Sequence, residues 1–143
     1  MLDRLRDIFG QIAKLSDLPP LFFRLILAYG FYEPAKNKIN NFEDIAQWFD
    51  SLGFPFPLLN AYLAGVTELL GFILLFLGLG TRLIAAPLMF VMIVAITTVH
   101  WSNGFAASDN GYEIALYYFL MLFSLLVTGP GRISLDHLLK LEK

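Results

Sequence analysis

The sequence contains no cysteine among its 143 residues. Thiol catalysis, CxxC redox relays, thiolate metal sites and cysteine-ligated iron–sulfur clusters are therefore excluded. Redox chemistry here requires a bound cofactor, a lipid-soluble carrier or a partner subunit to carry the electrons. Charge is also scarce, at 15% of residues, where an ordinary soluble domain holds about 25%. The net charge of -2 supplies no basic surface for nucleic acid and no strong steering of a charged partner. Histidine is limited to His100 and His137. There is no Gly-rich phosphate loop, no nucleophile–His–Asp arrangement and no bis-His haem pair within one apolar segment. A flavin or nicotinamide domain has no room. Residues 1–18 are amphipathic and charged, so a secretory signal peptide is not expected.

What is present is apolar: 57% hydrophobic and 15% aromatic residues, with mean hydropathy +0.65. Four membrane spans of ~20 residues would use ~80 residues, about the apolar content of the chain. Composition therefore predicts a small multi-pass membrane protein. It excludes a disordered chain and a disulfide-stapled secreted domain.

Along the chain, Leu2, Leu5, Ile8, Phe9, Ile12 and Leu15 recur at helical spacing, opposite Asp3, Arg4, Arg6, Asp7, Gln11 and Lys14. This pattern predicts an interfacial helix lying on a membrane, or packing on a partner surface. Asp17 and Pro19-Pro20 end it. Four spans follow, at about 21–39, 57–78, 82–101 and 111–128. Pro34 is expected to kink the first or end its regular part, and Pro87 to open a local gap in the third. Between spans one and two, Ile45, Trp48, Phe49 and Leu52 predict a short interfacial helix stopped by Gly53 and Pro55. Ser134 is expected to cap a short amphipathic tail helix carrying a solvated His137. Ala61 and Gly65 form a small-xxx-small pair for close helix approach. Short connections favour an antiparallel four-helix bundle, so the fold class is an all-α membrane protein in one unit over residues 1–143. Arg4, Arg6, Lys14, Arg82, Arg132, Lys140 and Lys143 fall on one side, against Lys36 and Lys38 on the other. Both termini are therefore expected to be cytoplasmic.

The segments RLILAYGF, WFDSLGFPFPLLNAYLAGVTELLGFILLFLGLGTRL, VHWSNGF, GYEIALYYFLML and GPGRISLDHLL resemble the DoxX family of small four-span bacterial membrane proteins. The match covers about residues 20–140 in order and spacing. Its most specific stretch is AYLAGVTELLGFILLFLGLGTRL, residues 61–83. The resemblance implies a bacterial inner-membrane location and a likeness to the small subunit of thiosulfate:quinone oxidoreductase. The AYGFYEPAKNK form of the first span also resembles proteins that accompany copper-responsive systems. Family position alone does not fix a reaction.

Intramembrane charge gives the candidate site. Glu68 lies ~16 Å into the second span at 1.5 Å per residue, and an unpaired charge at that depth is costly. Arg24, near the other end of the first span, is a geometrically plausible partner. The pair would be a register-fixing ion pair, a proton relay or a quinone headgroup site. A second cluster is expected at the outer surface: Glu33 and Lys36 as an i, i+3 pair, His100, Trp101 and Glu113. His100 would exchange protons with Glu113 or Glu33, or the cluster would hydrogen-bond a substrate, or its members would simply be satisfied interfacial polar residues. One His with carboxylates is a thin set for a transition metal, so no metal is assigned.

The working reading is a redox-associated membrane subunit with a polar pocket for a quinone or small substrate. Glu68, His100 and Glu113 would handle protons, and Arg24, Glu33, Lys36 and Trp101 would bind. A second copy or a partner subunit would sit beside it among membrane lipid. The alternative is a non-catalytic membrane partner of a metal-stress or maturation system, docking through residues 40–56.

Overall fold

The computed structural model describes residues 2–141, less the side chains of Leu2, Asp3, Leu5, Asp7, Ile8 and Ile12. Met1 and Lys143, and the apolar face expected from Leu2, Leu5, Ile8 and Ile12, lie outside that description. The described residues form helices and short connections: α1 (Leu2–Ala13), α2 (Leu18–Asn40), α3 (Phe42–Ser51), α4 (Pro57–Leu77), α5 (Thr81–Val94), α6 (Glu113–Thr128) and α7 (Leu135–Leu138). The backbone of α5 continues as a π-helical turn, Ala95–His100, and a short 3-10 turn, Trp101–Asn103.

Local chemistry explains the boundaries. Pro19 and Pro20 stand in the first turn of α2, and Pro57 opens α4, where proline's missing N–H costs nothing. Gly78 ends α4 in the left-handed region, at φ 66°. It must be glycine twice over, because a Cβ there would also collide with the Arg24 guanidinium. The Ser134 hydroxyl accepts from the His137 N–H at 3.2 Å, the expected tail cap. Pro34 does not end its helix, since α2 runs through it to Asn40. Two helical stretches, Pro57–Leu77 and Thr81–Asn103, are long and apolar enough to cross a membrane; Glu113–Thr128 is a shorter apolar helix.

The four long helices pack in a closed ring, α2 on α4, α4 on α5, α5 on α6 and α6 on α2. Three contacts set the antiparallel register. Arg24 lies against Gly78, the Lys38 Cβ against Gly65, and Arg82, at the start of α5, donates to the Val127 carbonyl near the end of α6. The close approach expected at Ala61 and Gly65 is present: Ala61 is fully buried, and a Cβ at Gly65 would lie 3.1 Å from both Lys38 and the Phe42 ring. Leu27, Ala28, Leu75, Ile84, Leu88, Leu122 and Leu125 fill the end of the ring nearest the α4–α5 turn, called here the tail end. The opposite end, covered by α3 and residues 104–112, is hollow.

Candidate functional site

A cavity of about 810 Å³ occupies the hollow end, reached by all four long helices and by α3. Its walls are mostly apolar, with Phe31, Leu63, Phe90, Val91, Met92 and Ile114 among the lining side chains. Against that background stands one ion pair. Lys38 donates to Glu68 Oε1 at 3.1 Å and Oε2 at 2.9 Å, with the two side chains 16% and 4% exposed. An ammonium has three N–H donors and a carboxylate about four acceptor positions. The pair therefore keeps one donor and two acceptor positions for whatever enters the cavity.

The register explains why Lys38 is the partner and Arg24 is not. Gly65 faces Lys38 and Gly78 faces Arg24, so Glu68 lies about one turn from the Lys38 level and about three turns from Arg24. The expected Arg24–Glu68 pair is thus replaced by Lys38–Glu68. Arg24 is 1% exposed at the tail end and donates to the Ile133 carbonyl, and Asp136 is the charge acting on it. Asp136, also 1% exposed, accepts from the backbone N–H groups of Gly80 at 2.7 Å and Thr81 at 3.0 Å. It therefore caps the start of α5 from the tail. Arg24 is not among the cavity-lining residues.

His100 lines the cavity from the π-helical turn, and its Nδ1 lies 2.8 Å from the Asn110 carbonyl oxygen. A carbonyl oxygen only accepts, so Nδ1 carries the proton and Nε2 is left as an acceptor in the neutral ring. Tyr118 lines the facing wall beside Gly30, where a Cβ would collide with its hydroxyl. Glu33, Lys36, Trp101 and Glu113 do not line the cavity. Glu33 and Lys36 form the expected i, i+3 pair, at 3.9 Å and solvent-exposed. Trp101 stacks on Tyr112 at 5.3 Å between centroids. Glu113 accepts from the Ala107 N–H and the Tyr117 hydroxyl, each at 2.9 Å, while His100 turns to the Asn110 carbonyl. Among the described residues no group of three His, Asp or Glu side chains gathers to hold a metal ion.

Lys38 and Asp136 were the residues that sequence reasoning passed over. Lys38 carried a signal, as the cation at the same end of its helix as the interfacial segment that packs on α4. Asp136 lies in the short tail helix, and nothing local reveals that the tail folds back.

Comparison with known proteins agrees with the helical pattern. The DoxX family matches residues 20–101. The chain is 36% identical to an uncharacterized protein of Haemophilus influenzae over 87% of its own length and 85% of that protein's. It is 30% identical to a Bacillus subtilis protein named "Putative oxidoreductase CatD", covering 86% of this chain and 88% of that one. It is 35% identical to the inner membrane protein YphA of Escherichia coli, covering 69% and 74% respectively. No solved structure shows significant similarity to the chain. On the family match and the near full-length relatives, the chain belongs to the DoxX family.

Proposed function

We propose that this chain is a four-span inner-membrane protein, both termini cytoplasmic, that binds a quinone in the cavity at its hollow end. The observation that carries the reading is the buried Lys38–Glu68 pair facing an otherwise apolar space of about 810 Å³. An apolar pocket with a few convergent polar groups is the usual form of a small-molecule site. A quinone ring supplies apolar faces for such walls and two carbonyl oxygens for its donors. The spare N–H of Lys38 donates to one ring oxygen. Reduction of the ring takes up two electrons and two protons; Glu68 and His100, both on the cavity wall, stand where protons are handed over. The electrons come from a partner redox subunit, so the chain acts as the quinone-binding member of a membrane complex. The relatives named as an oxidoreductase and as an inner membrane protein support this reading.

Trp48 lines the cavity, whereas Trp101 does not. In a Trp101→Phe background Trp48 is the sole tryptophan and reports on occupancy. Titration with a quinone is expected to quench its emission saturably. Lys38→Met is expected to weaken that binding at least tenfold. Quenching that never saturates, or saturates equally in Lys38→Met, contradicts the proposal. Glu33, Lys36, Trp101 and Glu113 are assigned to the outer surface, where they would meet a partner or an approaching substrate.

A further inference from the structure

We infer that the cavity opens sideways between α4 and α5, and that this gap passes the hydrocarbon tail of the bound ring. The inference rests on the quinone-site reading and specifies the ligand class: a lipid-soluble ring that reaches the site from within the bilayer.

The two helices close on each other at one level. A Cβ on Gly71 would stand 2.7 Å from Leu88 Cδ1, so the Leu88 side chain lies directly on the Gly71 backbone there. Antiparallel counting outward from that contact sets Thr67 opposite Met92 and Ala64 opposite Ala95, ~6 and ~10 Å along the axes. All four line the cavity, from its two sides. At the rim, Leu63 and Phe90 are 56% and 67% exposed and yet line the same space. A side chain that borders both the interior and the outer face marks an opening.

The chemistry of the rim selects what passes. Its side chains are apolar apart from Thr67 and Thr98, and the Thr98 hydroxyl is engaged with the Val94 carbonyl at 2.6 Å. A polar solute meets only the Thr67 hydroxyl along this route. A hydrocarbon chain loses nothing, because it exchanges lipid contacts for Leu63, Phe90 and Val94. The polar end of the ligand then reaches Lys38–Glu68 while its tail stays in the bilayer. Small residues at Ala64 and Ala95 leave room for the chain, and a larger side chain at the rim, at Leu63 or Val94, would narrow the gap away from the ion pair.

The test compares a benzoquinone carrying a long isoprenoid tail with the same ring lacking the tail. Binding to the full chain in nanodiscs is read by native mass spectrometry. Leu63→Trp is expected to weaken the tailed ring at least tenfold and leave the tailless ring within about twofold. Val94→Trp, on the facing wall, should repeat the pattern, and retained tailless binding shows that each variant is folded. Equal loss of both rings, or unchanged binding of the tailed ring in both variants, overturns the lateral gap while leaving the quinone site standing. A wild-type chain that retains phospholipid but neither ring overturns both readings.

Discussion

Lys38 holds both oxygens of Glu68 with the two side chains almost out of solvent. Removing one member of such a pair strands the other charge, at a cost of ~3–5 kcal/mol. Lys38→Met alone is therefore expected to lower the thermal midpoint in mild detergent markedly. Lys38→Met with Glu68→Leu, which removes both charges, should recover most of the loss, since apolar replacement of a buried pair is often neutral or better. The double variant should still fail to bind a quinone. A double variant no more stable than Lys38→Met would show that the pair does not act as a unit. At this scale the sequence was half legible. Glu68 announced itself as the lone ionisable residue of its span, and the need for a partner followed from the cost of burying it. The partner's identity did not follow. Arg24 and Lys38 stand near opposite ends of the same helix, and Glu68 lies near mid-depth. Register decided between them, and register depends on which side chains of α2 seat on Gly65 and Gly78.

Elements were far more legible than pairings. Pro57, Gly78 and Ser134 are local signals that the structure uses at helix ends, whereas Pro19-Pro20, expected to end the first helix, instead stand in the first turn of α2 and α1 stops at Ala13. Two features escaped. The π-helical turn Ala95–His100 leaves no periodicity signature in six apolar and polar residues, though it carries His100 to the cavity. The tail fold-back depends on a carboxylate far along the chain from the N–H groups it serves. Asp136 satisfies two orphan donors at the start of α5 and faces buried Arg24. Charge-assisted hydrogen bonds contribute ~1.5–3 kcal/mol each, so Asp136→Ala is expected to cost several kcal/mol. Hydrogen exchange should show the loss first at Gly80 and Thr81 and in the tail, with α3 unaffected. Uniform loss of protection through all helices would contradict a local cap. Arg24→Ala should loosen the same region and leave quinone binding within about twofold, because the side chain lies outside the cavity.

For the whole molecule, the chain divides into a packed half and a hollow half. Leucines fill the tail end, where Arg24, Asp136 and the α4–α5 turn lock three segments together. The loop end keeps its space because α3 and residues 104–112 roof it without filling it. The absence of native cysteine makes the proposed topology simple to test. A single cysteine at Ser108, in the 104–112 connection, is expected to react with a membrane-impermeant maleimide added to intact spheroplasts. One at Lys140 should react only after permeabilisation. Both sites are exposed, so failure of reactivity would not be due to burial. Labelling of both from the same side would contradict a membrane crossing by α6, the long helix between the two sites. Composition made the membrane class legible, and loop lengths made the ring of four helices legible. The hollow was not, because a cavity is set by how four helices and α3 come together rather than by any residue pattern.

The central claim is that the Lys38–Glu68 wall holds a quinone. The most direct measurement is native mass spectrometry of the protein released gently from its own membranes, comparing wild type, Lys38→Met with Glu68→Leu, and Arg24→Ala. The account predicts a quinone mass on wild type and on Arg24→Ala, absent from the double variant. A quinone retained equally by the double variant, or absent from a folded wild type, would contradict it.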